Sequence, residues 1–193
     1  MDKFGWEGNR IRLVPIDIEK HMEIGYRWIN DPDVTERLIA GDVPVTLVGQ
    51  REWYEFASKP NDKNIVFAIE TLEGQYIGNS GLHGIDTRHG FAESGTLIGE
   101  KSVWGQGYGT EASMVRAYYA FEVLGLRYLH SGYIGINEGS RKMQMRVGYE
   151  VVGTMKDAYW KRGAYHDKTI TQLTRERWLE VSGGKRVYEP LNF

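Results

Sequence analysis

Trp104-Gly105-Gln106-Gly107-Tyr108-Gly109-Thr110-Glu111-Ala112 sets three alternating glycines between a strand pattern and a strong helical one. Glycine has no Cβ, so the backbone can approach a ligand closely and successive N–H groups can converge on an anion. The N-terminus of the helix that follows adds roughly half a positive charge. Strand, glycine-rich turn and helix in that order predict a pyrophosphate-binding turn, although the same glycines would also serve a turn that binds nothing. The dinucleotide fingerprint needs a further glycine where Thr110 stands and normally opens a βαβ unit. No GxxxxGK[ST] pattern occurs either, so nicotinamide and nucleoside-triphosphate readings lose weight.

Outward from this turn, residues 110–124 carry Ala112, Met114, Val115, Tyr118, Tyr119, Phe121 and Val123 around most of a helix, with Gly125 at the C′ position, which predicts a largely buried helix. Upstream, residues 11–16 read as a strand and Asp17 as the cap of a helix that Asn30-Asp31-Pro32 ends. A second helix starts at Thr46 and carries Leu47, Trp53, Tyr54 and Phe56. The apolar run 65–69, then Glu73-Gly74, then Tyr76-Ile77-Gly78 predict an antiparallel hairpin, and 94–98 a third strand. Downstream, 128–136 reads as a strand, 140–147 as a helix, and 149–155 and 168–174 as strands. No internal repeat appears, and one α/β domain accounts for the pattern.

The 193 residues, 41% hydrophobic and 26% charged, suit one compact domain. A formal charge of -2 without a Lys/Arg block leaves no footprint for nucleic acid. Without cysteine there is no disulfide, no thiol nucleophile and no cysteine-based zinc site. His83, His89 and His166 lack metal-ligand spacing, so no metal is expected. The start, Met1-Asp2-Lys3-Phe4-Gly5, has no apolar leader, and no window approaches the ~18 apolar residues of a membrane span, so a soluble cytoplasmic protein is expected.

The glycine turn resembles the acyl-CoA pyrophosphate loop of the GNAT superfamily of N-acyltransferases, usually (Gln/Arg)-x-x-Gly-x-(Gly/Ala), with Gly107 and Gly109 at its two small positions. Trp104 stands in place of the usual Gln or Arg, and Trp-Gly-x-Gly-Tyr-(Ala/Gly)-Thr-Glu-Ala is similar to the branch of Rim-type ribosomal-protein N-terminal acetyltransferases. Asn137-Glu138-Gly139-Ser140 and Val147-Gly148-Tyr149 resemble that branch's Asn-x-x-Ser and Gly-Phe elements. Trp28 to Val34 and Tyr165-His166-Asp167 extend the likeness over residues 8–178, leaving 179–193 as a C-terminal tail. The resemblance implies a single domain: a mixed, mostly antiparallel sheet of about six or seven strands and about four helices, splayed in the middle to admit acetyl-CoA. Leu97, Ile98 and Gly99 would line that slot, and residues 104–110 would hold the phosphates. A homodimer is a family-level expectation.

Acetyl transfer to an amine needs a neutral nucleophile, a stabilised oxyanion and a proton for the departing thiolate. An amine with pKa ~8 to 10 is mostly protonated at neutral pH, so a carboxylate is the natural base. Glu93, in the small-Glu-x-Gly element Ala92-Glu93-Ser94-Gly95, is the first candidate, against the alternative of a surface carboxylate. Many relatives donate the thiolate proton from a Tyr seven residues after this Asn; here Gln144 stands there, which has no titratable proton. Ser140 would hydrogen-bond the sulfur or cap a helix. Asn137 would hold the pantetheine or orient water, or simply end a strand, and Arg141 and Lys142 would meet phosphates or coat a solvated face. The amine acceptor would meet Trp28, Asp31, Asp33, Glu36, Trp53, Tyr159 and His166, although each also has an ordinary packing or surface role. A protein N-terminus, a polyamine, an aminoglycoside and an amino sugar all fit such a scaffold. A catalytically silent acyl-CoA sensor or interaction module is the alternative that Trp104 and Gln144 raise.

Overall fold

The computed structural model describes residues 5–39, 41–59 and 61–183. Strand β1 is Trp6–Glu7 and β2 is Ile11–Pro15. Helix α1, Ile18–Ile29, starts where the Asp17 side chain accepts from the N–H groups of Glu19 and Lys20. Asp31 caps a short α2, Pro32–Thr35, with proline in its first turn where no N–H is needed. Thr46 caps α3, Leu47–Ala57. Three strands follow: β3, Ile65–Thr71, β4, Tyr76–Asp86, and β5, Phe91–Ile98. A 3₁₀ turn over Lys101–Val103 leads into α4, Tyr108–Tyr118, which widens to a π turn over Tyr119–Val123. The chain ends in β6, Tyr128–Ile134, α5, Glu138–Val147, β7, Glu150–Lys161, β8, Ala164–Thr174, and α6, Arg175–Ser182.

The strands form one sheet in the order β1-β2-β3-β4-β5-β6-β8-β7. Every neighbouring pair is antiparallel except β5 and β6. Eight strands and six α-helices among the described residues slightly exceed the expected six or seven and about four. The two-residue β1, the one-turn α2 and α6 are too short or too weakly patterned to be legible one segment at a time. Helix α6 runs through residue 178, the expected edge of the domain, and residues 184–193 of the expected tail lie outside the described residues.

The sheet separates two apolar clusters. On one face Ile11, Leu13, Ile69, Ile77, Leu82 and Ala92 pack with Ala112, Val115 and Ala117 of α4. On the other, Val14, Ala68, Tyr76 and Leu97 pack with Trp28, Val34 and Tyr54 from the first three helices. Along β5 the alternation therefore points Ala92, Ser94 and Thr96 towards α4, and Glu93, Gly95 and Leu97 towards α1–α3. No described helix is long and apolar enough to cross a membrane.

Candidate active site

The glycine turn folds as the start of α4. Gly107 is the N-cap, at φ 89°, a left-handed conformation that glycine adopts without strain. It offers no side-chain cap, so the first-turn N–H groups keep their hydrogen-bonding capacity for a ligand. Arg10 holds the turn from behind: its Nη1 donates to the Gln106 carbonyl at 3.0 Å and its Nε to Glu111 at 2.9 Å. Glu111 also accepts from the Arg10 backbone N–H at 2.7 Å. Glu111 is therefore a strut for the loop, a role that its place in the Thr-Glu-Ala string did not disclose.

A cleft of about 490 Å³ opens on this turn. Its walls include Leu97, Ile98, Trp104, Gly105, Gly107, Tyr108, Gly109, Thr110, Asn137 and Ser140. A glycine loop, unpaired helix N–H groups and the end of a strand make a cradle that fits a pyrophosphate with an extended, amide-bearing arm. Trp104 fills the position of the usual Gln or Arg by donating Nε1–H to the Ile98 carbonyl at 2.8 Å, pinning the loop to the end of β5. Three expected wall residues face elsewhere. Gly99 is packed under Trp28, whose ring lies 2.0 Å from where a Cβ would sit. Gln106 turns back to the Ser102 carbonyl at 2.8 Å. Arg141 is bound by Glu138 at 2.6 and 2.7 Å. Lys142, named with Arg141 as a phosphate contact, does line the cleft, together with Arg37 and Arg146. Gly139, Lys142, Met143 and Arg146 recur at helical spacing on one face of α5, which turns Arg141 away; that spacing was the available signal.

The sheet parts beside the cleft. Strands β5 and β6 pair only at Phe91–Tyr128, Ala92–Leu129 and Glu93–His130. As they diverge, Ser94 Oγ donates to the His130 carbonyl at 3.2 Å and Ser131 Oγ to the Ser94 carbonyl at 2.8 Å. A second cavity of about 160 Å³ fills the gap, lined by Glu93, Gly95, Thr96, Arg116, Tyr133, Asn137, Ser140 and Gln144 among others. Arg37, Leu38, Thr96, Asn137, Ser140 and Met143 border both spaces.

Glu93 stands on the last rung before the strands part, exposed, and opposite His83 on β4. The strand starts at Phe91, three residues before the expected start at Ser94. Burial lowers the His83 pKa from its ordinary value, while the negative charge of Glu93 pulls it the other way. Asn137 is the N-cap of α5: its Oδ1 accepts from the Ser140 N–H at 2.9 Å and its Nδ2 donates to the Arg37 carbonyl at 2.7 Å. Capping thus falls to Asn137, not to Ser140. Ser140 Oγ accepts from Gln144 Nε2 at 3.0 Å, and Gln144 Oε1 accepts from Thr171 at 2.5 Å.

The proposed acceptor residues are dispersed. Trp28 is buried against Tyr76, with ring centroids 4.6 Å apart. Asp31 caps α2 and, with Asp33, binds Lys101 at 2.7 and 2.9 Å. Glu36 pairs with Arg162 at 3.2 Å, and Trp53 packs edge-on to Tyr54. Tyr159 and His166 face one another across the β7–β8 hairpin, where the His166 ring meets the Lys161 carbonyl at 3.1 Å. Glu93 lines the second cavity, whereas none of these residues lines either space. No group of histidines or carboxylates among the described residues has metal-binding geometry.

The sequence pattern of the acetyltransferase (GNAT) domain matches residues 10–150. A Bacillus subtilis protein with the provisional name ribosomal N-acetyltransferase YdaF is 32% identical over 118 residues, 61% of this chain and 63% of that protein. The chain spans about three fifths of the length of the first curated relatives it matches, 58% and 63%. The structure of spermidine N-acetyltransferase from Vibrio cholerae, in complex with CoA and spermine, has a TM-score of 0.78 at 17% identity, covering 88% of this chain and 98% of that one. The microcin C7 self-immunity acetyltransferase MccE, in complex with acetyl-CoA and AMP, has a TM-score of 0.74 at 18% identity, covering 86% and 93%. At these identities the structural likeness concerns the fold.

Proposed function

We propose, from the premise that the chain belongs to the acetyltransferase (GNAT) family, that it moves an acetyl group from acetyl-CoA to a primary amine within a ternary complex. The carrying observation is that the cleft on the glycine turn and the smaller cavity beside Glu93 adjoin, sharing Thr96, Asn137, Ser140 and Met143 as walls. In this reading the loop N–H groups and Lys142 or Arg146 hold the phosphates, and Leu97 and Ile98 pair with the pantetheine arm. Glu93, facing α1–α3, takes the proton of the incoming amine directly or through water. The amine nitrogen then attacks the thioester carbonyl, the C–N bond forms and the C–S bond breaks. Ser140, its oxygen already engaged by Gln144, directs its hydroxyl proton at the departing thiolate. Asn137 supports this by fixing the start of α5 and the backbone of Arg37 rather than by contact with the reacting atoms.

The acceptor class is any of the amines named above, and the likeness to YdaF supports the Rim-type branch as the first place to look. A cytoplasmic enzyme of one domain over residues 8–178 is the organisation we propose, with a homodimer as its family-level quaternary state. The test is calorimetric titration of the protein with acetyl-CoA, repeated on Gly109→Trp. Gly109 has no left-handed φ, and a Cβ there would touch Ile98 at 3.4 Å and Met143 at 3.9 Å, both walls of the cleft, so an indole at this position fills the cleft without a left-handed backbone strain. Micromolar binding abolished by the substitution, followed by turnover with one of a panel of amines, is the expected result. Binding without turnover on any amine favours the silent acyl-CoA module, and no binding by the unaltered chain removes the transferase reading.

A further inference from the structure

Arg116 stands out among the buried charges. It is 2% exposed, in the last turn of α4. Its Nη1 donates to Ser80 Oγ at 2.9 Å, to the Gly95 carbonyl at 2.6 Å and to Thr96 Oγ1, all neutral acceptors. Among the described residues no carboxylate lies within ion-pair distance of it, and its Nε is buried without a partner. Elsewhere the fold matches the charges it buries: Glu70 is met by Lys20, His21 and Arg12, and Lys161 by Asp42. A buried, uncompensated guanidinium is costly unless an anion completes it, and arginine's fork is suited to carboxylate. Arg116 also lines the second cavity, at the parting of β5 and β6.

We infer that this cavity is a carboxylate-binding extension of the acyl slot, built on Arg116, and that the donor it fits is a short acyl-CoA whose acyl chain ends in a carboxylate, such as a succinyl or malonyl thioester. The inference rests on the acyl-CoA reading above. Thr96 and Ser140 border both spaces, so an acyl group hung from a thiol beside them points onward into the second cavity. Arg116, in contact with Thr96, and Glu93 line the same cavity. The carboxylate is assigned to the donor because Thr96, which Arg116 contacts, also borders the cleft that takes the acyl-CoA arm. The reaction keeps its balance: the amine nitrogen bonds to the thioester carbon, the C–S bond breaks, the nitrogen's proton leaves through Glu93, the thiolate is protonated, and the distal carboxylate is unchanged.

The experiment compares the affinities of the full chain for acetyl-CoA, butyryl-CoA and succinyl-CoA by calorimetry. The last two have equal chain length and differ in the terminal charge. Succinyl-CoA is expected to bind about tenfold or more tighter than butyryl-CoA, as a charge-assisted hydrogen bond supplies. Arg116→Met is expected to abolish that advantage, read as the ratio of succinyl-CoA to butyryl-CoA affinity within the variant, and mass spectrometry of the wild-type product should show the carboxyacyl amide. Equal affinity of the wild type for succinyl- and butyryl-CoA overturns the proposal, as does an advantage that survives Arg116→Met. Should that variant not unfold cooperatively, Arg116→Gln, which retains hydrogen-bonding capacity without charge, takes its place with the same two outcomes. If free amino acids, and not the acyl carboxylate, gain affinity through Arg116 in the CoA-bound protein, the site belongs to the acceptor and the proposal fails. Failure of acetyl-CoA itself to bind sinks the parent reading, whereas normal acetyl-CoA binding with no succinyl advantage sinks this one alone.

Discussion

Ser140 and Gln144 occupy successive turns of α5, and their hydrogen bond gives the serine a direction. Gln144 is 2% exposed and held by Thr171, so its amide nitrogen is presented to Ser140 Oγ. The serine proton is then left for the cleft. Ser140→Ala is expected to lower kcat by about 10²-fold with little change in KM for acetyl-CoA, the pattern of a donor used mainly in the transition state; steady-state kinetics decide it, and a pure KM effect would contradict the assignment. His21 makes a different prediction. It is 1% exposed, Nδ1 accepts the Asp17 N–H at 3.0 Å, and Nε2 faces Glu70 at 3.0 Å. Burial lowers its pKa from the ordinary 6.5 despite the attraction of Glu70. Because the folded value is depressed, the unfolded chain binds the proton first as the pH drops. The neutral form's contribution is present above 6.5 and is lost below it, by at most about 1.4 kcal/mol per pH unit for this group. His83 acts with the same sign, its pKa also lowered by burial. Urea midpoints should fall between pH 7.5 and 5.5, and unchanged midpoints would refute the assignment.

At the scale of elements, the end of β5 is where fold and site meet. Gly99 lies beneath Trp28, and Trp104 bonds the carbonyl of Ile98 one residue earlier. Gly99→Ala would place a methyl 2.0 Å from the indole, so the α1 side chain or the strand end must move. Overpacking of this kind typically costs about 1–3 kcal/mol. Denaturant unfolding should show that loss, and acetyl-CoA titration a weakened affinity, because the displaced strand end is a wall of the cleft. Helix starts were well legible: Asp17 and Thr46 cap where their side-chain chemistry predicts. The start of α5 was not, since both Asn137 and Ser140 are competent caps and only the fold shows which of them reaches the free N–H.

For the molecule as a whole, α6 closes the α4 face. Trp178 is 1% exposed and packs on Phe121 and Tyr118, with ring centroids 5.5 and 6.3 Å apart. The aromatic anchor of this helix, which runs on past residue 178 to Ser182, belongs to the main core. Trp178→Ala is expected to destabilise the chain by about 3–5 kcal/mol. The thermal or urea unfolding transition measures it, and a change under 1 kcal/mol would mean that α6 is peripheral.

Local chemistry by itself determined the strand-turn-helix around Gly107, the caps at Asp17 and Thr46 and the hairpin at Glu73-Gly74, because each rests on residues close together in the chain, and the spacing of several such motifs along the chain carried the family resemblance. Tertiary structure decided the rest. Glu111 became a strut because Arg10 lies across from it, α5 kept Lys142 at the cleft and added Arg146 while turning Arg141 away, and Gly99 was claimed by Trp28. Arg116 drew no reading from the sequence, and it is the parting of β5 from β6 that puts a cavity beside its charge. Such roles depend on which distant partners the sheet order brings together, and neither periodicity nor spacing along the chain encodes that.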